Sequence, residues 1–199
     1  MSMLKAMICF NAALFASLVA TASSKPRTVH KLHDILGAEG RIWIVITSNK
    51  GETEDGIHRC YYNLLDLREG STFELKQYFK NRTVWHMQRL YGNVNWEDES
   101  KPVLNMTKDQ ANDEGLQFTI EYWDDVNKCA VVSNTQDGLK NCQLFVWESH
   151  LTHSGHTFHC ETNYDELCAG LHKYILYEGD CLEQRDQFLR EEKNLASSG

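Results

Sequence analysis

LQFTIEYW, Leu116 to Trp123, is the stretch on which the reading of this sequence turns. Phe118, Ile120 and Tyr122 alternate with Gln117, Thr119, Glu121 and Trp123. A period of two is that of an extended strand with one face on a core. The first set is the apolar one and is expected to point inward.

The same texture runs in both directions along the chain. Upstream, Arg41 to Ser48 (RIWIVITS) is rich in β-branched and aromatic residues, CYYNLLDL begins at Cys60, and Thr72 to Lys80 (TFELKQYFK) alternates. Thr83 to Tyr91 follows a turn at Asn81-Arg82, and Lys101 to Thr107 is a weaker strand. Downstream come Cys129 to Ser133 and Gln143 to Glu148 (QLFVWE). NKGETEDG, REGS, NDEG and NTQDG supply turn chemistry between them. About eight short strands at this spacing predict an antiparallel barrel or sandwich. There is no repeat and no linker, and the only prolines are Pro26 and Pro102.

The two ends differ from the middle. Thr28 to Leu36 (TVHKLHDIL) is expected to form a short helix with Thr28 as cap. Asn163 can cap a second helix, with Asp165 and Glu166 in its first turn and Gly170 near its end. The residues after Cys181 form a charged, helix-prone run, expected as a frayed tail over 184–199 rather than part of the core. At the other extreme, residues 1–22 read as a secretory signal. Lys5 is followed by an apolar run from Ala6 to Val19 and by Ala20-Thr21-Ala22, a small-x-small cleavage site. The domain is then expected over 23–183, in an extracellular protein.

The chain has 199 residues and a formal net charge of −8. That size allows one domain with a real core, and the acidic balance argues against nucleic acid and anionic membranes as partners. Cys9 leaves with the signal. Six cysteines remain, and an even set behind a signal peptide predicts three disulfides. Asn81-Arg82-Thr83 and Asn105-Met106-Thr107 are glycosylation sequons that the secretory route makes usable.

Chemistry-bearing motifs are sparse. His150, His153, His156 and His159 recur every three residues, but that spacing gives no shared face on a helix or a strand. Gly155 in their midst favours a loop, so no metal site is expected. There is no G-x-S-x-G elbow, no H-E-x-x-H and no P-loop, and paired cysteines leave no thiol nucleophile. No enzyme activity and no cofactor are expected. Trp43, Trp85, Trp96, Trp123 and Trp147 leave core packing and a ring-lined binding cavity both open.

A helix leading into RIWIVITS, Cys60 at the start of the second strand, DDVNKC at 124–129, and the ordered run CQLFVWES, CETNYDELC and GDCLE together resemble the lipocalins of tick saliva. That family includes the histamine-binding proteins. The resemblance covers Thr28 to Glu183. It implies an all-β, eight-stranded antiparallel barrel with a short N-terminal helix, a C-terminal helix packed outside, and a ligand cavity within. It also implies Cys60–Cys181 and Cys129–Cys160, which leaves Cys142 with Cys168. On the last strand it turns Gln143, Phe145 and Trp147 inward, with Glu148 then facing solvent. The ligand-lining set expected is Phe118, Tyr122, Phe145 and Trp147, with Trp43 across from them and Gln143 as a polar contact.

The function implied is capture of a host mediator by a monomeric secreted protein, to modulate inflammation and immunity. A biogenic amine (histamine or serotonin) leads. A lipid mediator or sterol (leukotriene, thromboxane, cholesterol) and a host protein are the alternatives. In the family's amine binders, carboxylates inside the barrel pair the ammonium. Here Ala130 and Gln143 stand at two of those positions, and Glu52 matches a third.

Overall fold

A computed structural model describes residues 40–50, 52–53, 56–67, 72–95, 101–108, 115–151 and 157–197. The signal segment and the expected helix at Thr28–Leu36 lie outside them.

The strands are β1 (Arg41–Thr47), β2 (Glu52–Thr53), β3 (Gly56–Leu67), β4 (Thr72–Asn81), β5 (Val84–Asn95), β6 (Val103–Thr107), β7 (Leu116–Asp124), β8 (Cys129–Gln136), β9 (Leu139–Trp147) and β10 (Tyr174–Ile175). Every neighbouring pair is antiparallel, in the order β10-β1-β9-β8-β7-β6-β5-β4-β3-β2. The additional pairing of β1 with β3, Ile42 opposite Asn63 and Trp43 opposite Tyr62, closes eight of these strands into a barrel. Closure leaves the eight long strands without a free edge. The two-residue β2 and β10 are accessories to β3 and β1.

Each expected strand is present, and most run longer than their apolar signal. Hydrogen bonding continues through the hairpins: Leu67 lies opposite Phe73, and Asn81 opposite Val84. At the β4–β5 turn Arg82 takes a φ of 54°. Gly92 serves a different need, because a Cβ there would lie 2.1 Å from the Asn105 carbonyl oxygen and 2.7 Å from the Phe73 ring.

Two apolar cores result. One lines the barrel interior with Phe73, Leu75, Leu104, Phe118, Ile120 and Val132, and is continued through Trp123 and Phe145 by Ile42 of β1, Ala130 and Trp147. The other lies on the outer wall, where Trp43, Tyr62, Tyr164 and Tyr177 pack beneath the C-terminal segments. β1 serves both cores, so six of its seven residues, Ile42 to Thr47, are buried. A strand covered on both faces reads as a continuous apolar run, which is why RIWIVITS shows no alternation.

The C-terminal region departs from expectation in two places. The first helix, α1 (Glu161–Leu167), begins two residues before Asn163, and Cys160 occupies the cap position in the left-handed region at φ 62°. The second, α2 (Cys181–Ser197), is not a frayed tail. Cys181, Arg185 and Phe188, at spacings of four and three, share one face turned to the barrel. Cys181 is fully buried, Arg185 is 6% exposed, and Phe188 stacks on Trp85 with centroids 5.7 Å apart. That spacing stands in the sequence but is outnumbered by charged neighbours, so the segment read as solvated.

Three disulfides fix this arrangement. Cys60–Cys181 ties α2 to β3, Cys129–Cys160 ties the start of α1 to β8, and Cys142–Cys168 ties its end to β9.

Candidate functional site

The barrel encloses a cavity of about 450 Å³. Its wall is mainly aliphatic and aromatic: Leu65, Leu75 and Leu90 on one side, Ile120, Val132 and Phe145 on another. Six polar side chains interrupt it, from Asn63, Gln77, Gln88, Thr107, Lys108 and Gln143. Among the described lining residues none is a carboxylate. The β-period explains the placement. Inward positions on β9 are Gln143, Phe145 and Trp147, and those on β4 are Phe73, Leu75 and Gln77.

Of the six residues expected here, Phe118, Gln143, Phe145 and Trp147 line the cavity, while Trp43 and Tyr122 lie outside it. Trp43 sits on the outer face of β1, with its ring 5.1 Å from Tyr62 and 5.2 Å from Tyr177. Inward places on β1 go instead to Ile42 and Ile44. Tyr122 is displaced by an irregularity between Ile120 and Tyr122 in the β7–β8 register. One extra residue there reverses the alternation, so Tyr122 packs on the outer core and Trp123 meets Trp147 at 6.0 Å.

Glu148 also differs from expectation. It does not face open solvent: Trp43 Nε1 donates to its Oε2 at 2.9 Å, Arg41 lies at 3.4 Å, and Arg185 of α2 donates to the same Oε2. The chain leaves strand geometry at Trp147 and enters a short 3₁₀ turn over Glu148–His150, which redirects this side chain.

Asn63, Gln77 and Gln88 were not singled out by the sequence reading. Gln88 Nε2 donates to Gln77 Oε1 at 2.6 Å, and Gln77 Nε2 donates to Asn63 Oδ1 at 3.1 Å. Strict alternation from Phe73 through Leu75 marks Gln77 as inward, and that signal was available. Its partners come from other strands and have no signature of their own.

Of the four spaced histidines, His150 and His159 meet edge to face at 6.4 Å, and His153 and His156 lie outside the described residues. Among the described residues, the one grouping with metal-ligand types in reach is Cys60, Asp180 and Cys181, whose two sulfurs are joined in a disulfide. Asn81 ends β4 at its hairpin turn, and Asn105 lies mid-strand on β6, its Nδ2 3.0 Å from Asn93 Oδ1.

Burial raises three tyrosine hydroxyls, those of Tyr61, Tyr164 and Tyr177. Burial pushes the Tyr61 hydroxyl up to about 12, and burial with the neighbouring Asp165 does the same for Tyr164. A folded-state value above the unfolded 10 means that folding favours the protonated phenol. This contribution to stability is complete below pH 10 and is lost as the pH rises towards 12. Absorbance of tyrosinate should therefore show a late-titrating class that coincides with alkaline unfolding, and Tyr61→Phe with Tyr164→Phe should shrink it. A titration of all tyrosines near pH 10 without loss of structure contradicts this.

A family model described as tick histamine binding protein matches residues 30–183. No curated protein matches the chain in sequence. Among solved structures, a crystal structure titled as an AM182 serotonin complex is 19% identical and superposes with a TM-score of 0.51, covering 77% of this chain and 92% of that one. The cockroach allergen Per a 4 is 12% identical at a TM-score of 0.51, covering 76% and 90%. Japanin from Rhipicephalus appendiculatus, bound to cholesterol, is 16% identical at 0.47, covering 71% and 95%.

Proposed function

The chain belongs to the tick histamine-binding protein family, and on that premise we propose that it is a secreted carrier that captures a small host mediator inside its barrel. Capture is stoichiometric, so abundance and affinity take the place of turnover. The secretory signal, the three disulfides and the two sequons support an extracellular setting.

One observation carries the choice of ligand class. Ala130 and Gln143, at two positions where the family's amine binders are expected to hold acids, both line the cavity. The substitutions therefore remove carboxylates from the place where an ammonium would sit. A cation entering an apolar cavity loses hydration worth several kcal/mol and needs a counter-charge to recover it. Glu52, the third position, has its side chain outside the described residues. The cavity suits a mostly apolar, lipid-like mediator held by shape and a few amide contacts.

The test is a titration of purified protein with histamine, serotonin, cholesterol and a leukotriene between pH 5 and 8. Lipid binding tighter than amine binding is expected. Gln143→Glu should weaken cholesterol by at least about tenfold, since dehydrating even an uncharged polar group beside a neutral ligand costs about 1–3 kcal/mol and an ionised acid costs more. Histamine bound more tightly than either lipid, with affinity falling as a carboxylate protonates, overturns the lipid reading and leaves the amine. Absence of binding by all four moves the host-protein reading to first place.

A further inference from the structure

One register row of the cavity wall is polar. Trp147 of β9 lies opposite Ile42 of β1, Ile42 opposite Asn63 of β3, Asn63 opposite Gln77 of β4, and Gln77 opposite Gln88 of β5. All five line the cavity. The neighbouring row on the same strands is Leu65, Leu75 and Leu90, so the amides form a band beside aliphatic wall.

The band is a directed chain. Gln88 gives a hydrogen to Gln77, and Gln77 gives one to Asn63. The chain stops at Asn63, which is 2% exposed and whose Nδ2 has no further partner among the described residues. Two positions along the row, Trp147 Nε1 is buried without an acceptor among the described residues. Buried donors left open cost free energy that apolar side chains of the same size would not. An inward row that served only to pack would be better made of leucines.

We propose that the Asn63 end of this row is the head-group site for a hydroxyl on an otherwise apolar, uncharged ligand. The proposal rests on the lipid-carrier reading above. A hydroxyl both accepts and donates. Its oxygen takes a hydrogen from Asn63 Nδ2, and its own hydrogen goes to the second lone pair of Asn63 Oδ1. Turning all three amides over together would reverse the chain, and a hydroxyl fits that sense equally. An ammonium only donates, leaving Asn63 Nδ2 open and its own charge unpaired. A carboxylate only accepts, and no cation stands on the row.

The experiment displaces a neutral fluorescent reporter, N-phenyl-1-naphthylamine, with four molecules that share one chain: dodecan-1-ol, its methyl ether, dodecylammonium and dodecanoate. The alcohol should displace it about fivefold more tightly than the ether, which accepts but cannot donate. Asn63→Leu, similar in size, should abolish that difference, and Gln117→Leu, on an exposed side chain outside the cavity wall, should preserve it. Equal displacement by alcohol and ether from the wild-type chain overturns the proposal without any variant. So does a difference that survives Asn63→Leu, one that Gln117→Leu removes as well, or tightest binding by either charged chain. A wild-type protein that fails to bind the reporter at all sinks the carrier reading itself, a result distinct from a bound reporter with no preference for the alcohol.

Discussion

Replacing Cys60 and Cys181 together by alanine is expected to lower the unfolding free energy by about 4–5 kcal/mol, the largest effect of any change considered. The pair is separated by 121 residues, so the bond closes most of the barrel into one loop of the unfolded chain. Cys142–Cys168 spans 26 residues, and its removal should cost about 1 kcal/mol less on the same chain-entropy argument. Cys60–Cys181 also holds the first turn of α2 against β3, where Arg59 pairs with Glu178 and approaches Asp180 at 3.7 Å. Urea unfolding of the two double variants measures the comparison. Protease cleavage within α2 should accelerate only in the Cys60/Cys181 variant. Equal loss in both would mean that strain or residual structure, not loop length, sets the contribution.

Glu148→Ala should cost about 3 kcal/mol, the largest effect expected of a single substitution. The reason is the partner left behind. The Arg185 side chain is 7% exposed and Glu148 26%, and Arg185 meets Glu148 on one side and Asp186 at 2.5 Å on the other. Trp43 Nε1, in a fully buried ring, loses its acceptor in the same step. Removing the carboxylate thus strands a guanidinium and an indole donor, and each unmet buried group is costly. Glu148→Gln should retain part of the loss because it keeps an acceptor for Trp43. Glu148→Ala with Arg185→Met should recover stability relative to Glu148→Ala alone. Additive losses in that double-mutant cycle would show that the two side chains do not act as a pair. None of these changes touches the cavity wall, so reporter binding by the folded fraction should stay unchanged.

The fold was legible because its signals are local. Eight strands follow from period-two patterning and turn residues, and each is read within its own ten residues. The site was legible where alternation continues undisturbed, as on β9 for Gln143, Phe145 and Trp147, and failed where it does not. On β7 a single irregularity after Ile120 moved Tyr122 outward, and nothing in LQFTIEYW announces it. α2 was missed for a related reason. Three residues at helical spacing carry its contact with the barrel, and mean polarity hides them.

The sequence by itself determined the strand set, because period-two patterning and β-branched and aromatic runs depend on how each residue's chemistry meets its immediate neighbours. Tertiary structure alone decided which face of β1 sees the ligand. Both faces are apolar, and only the packing of Tyr177 and the C-terminal segments over Trp43 sends Ile42 and Ile44 inward. It also decided that Asn63, Gln77 and Gln88 form one chain of amides. They lie on three strands, and their contact exists because inter-strand register places one opposite the next. Register is fixed by closing the whole barrel, a condition that no single stretch of sequence contains.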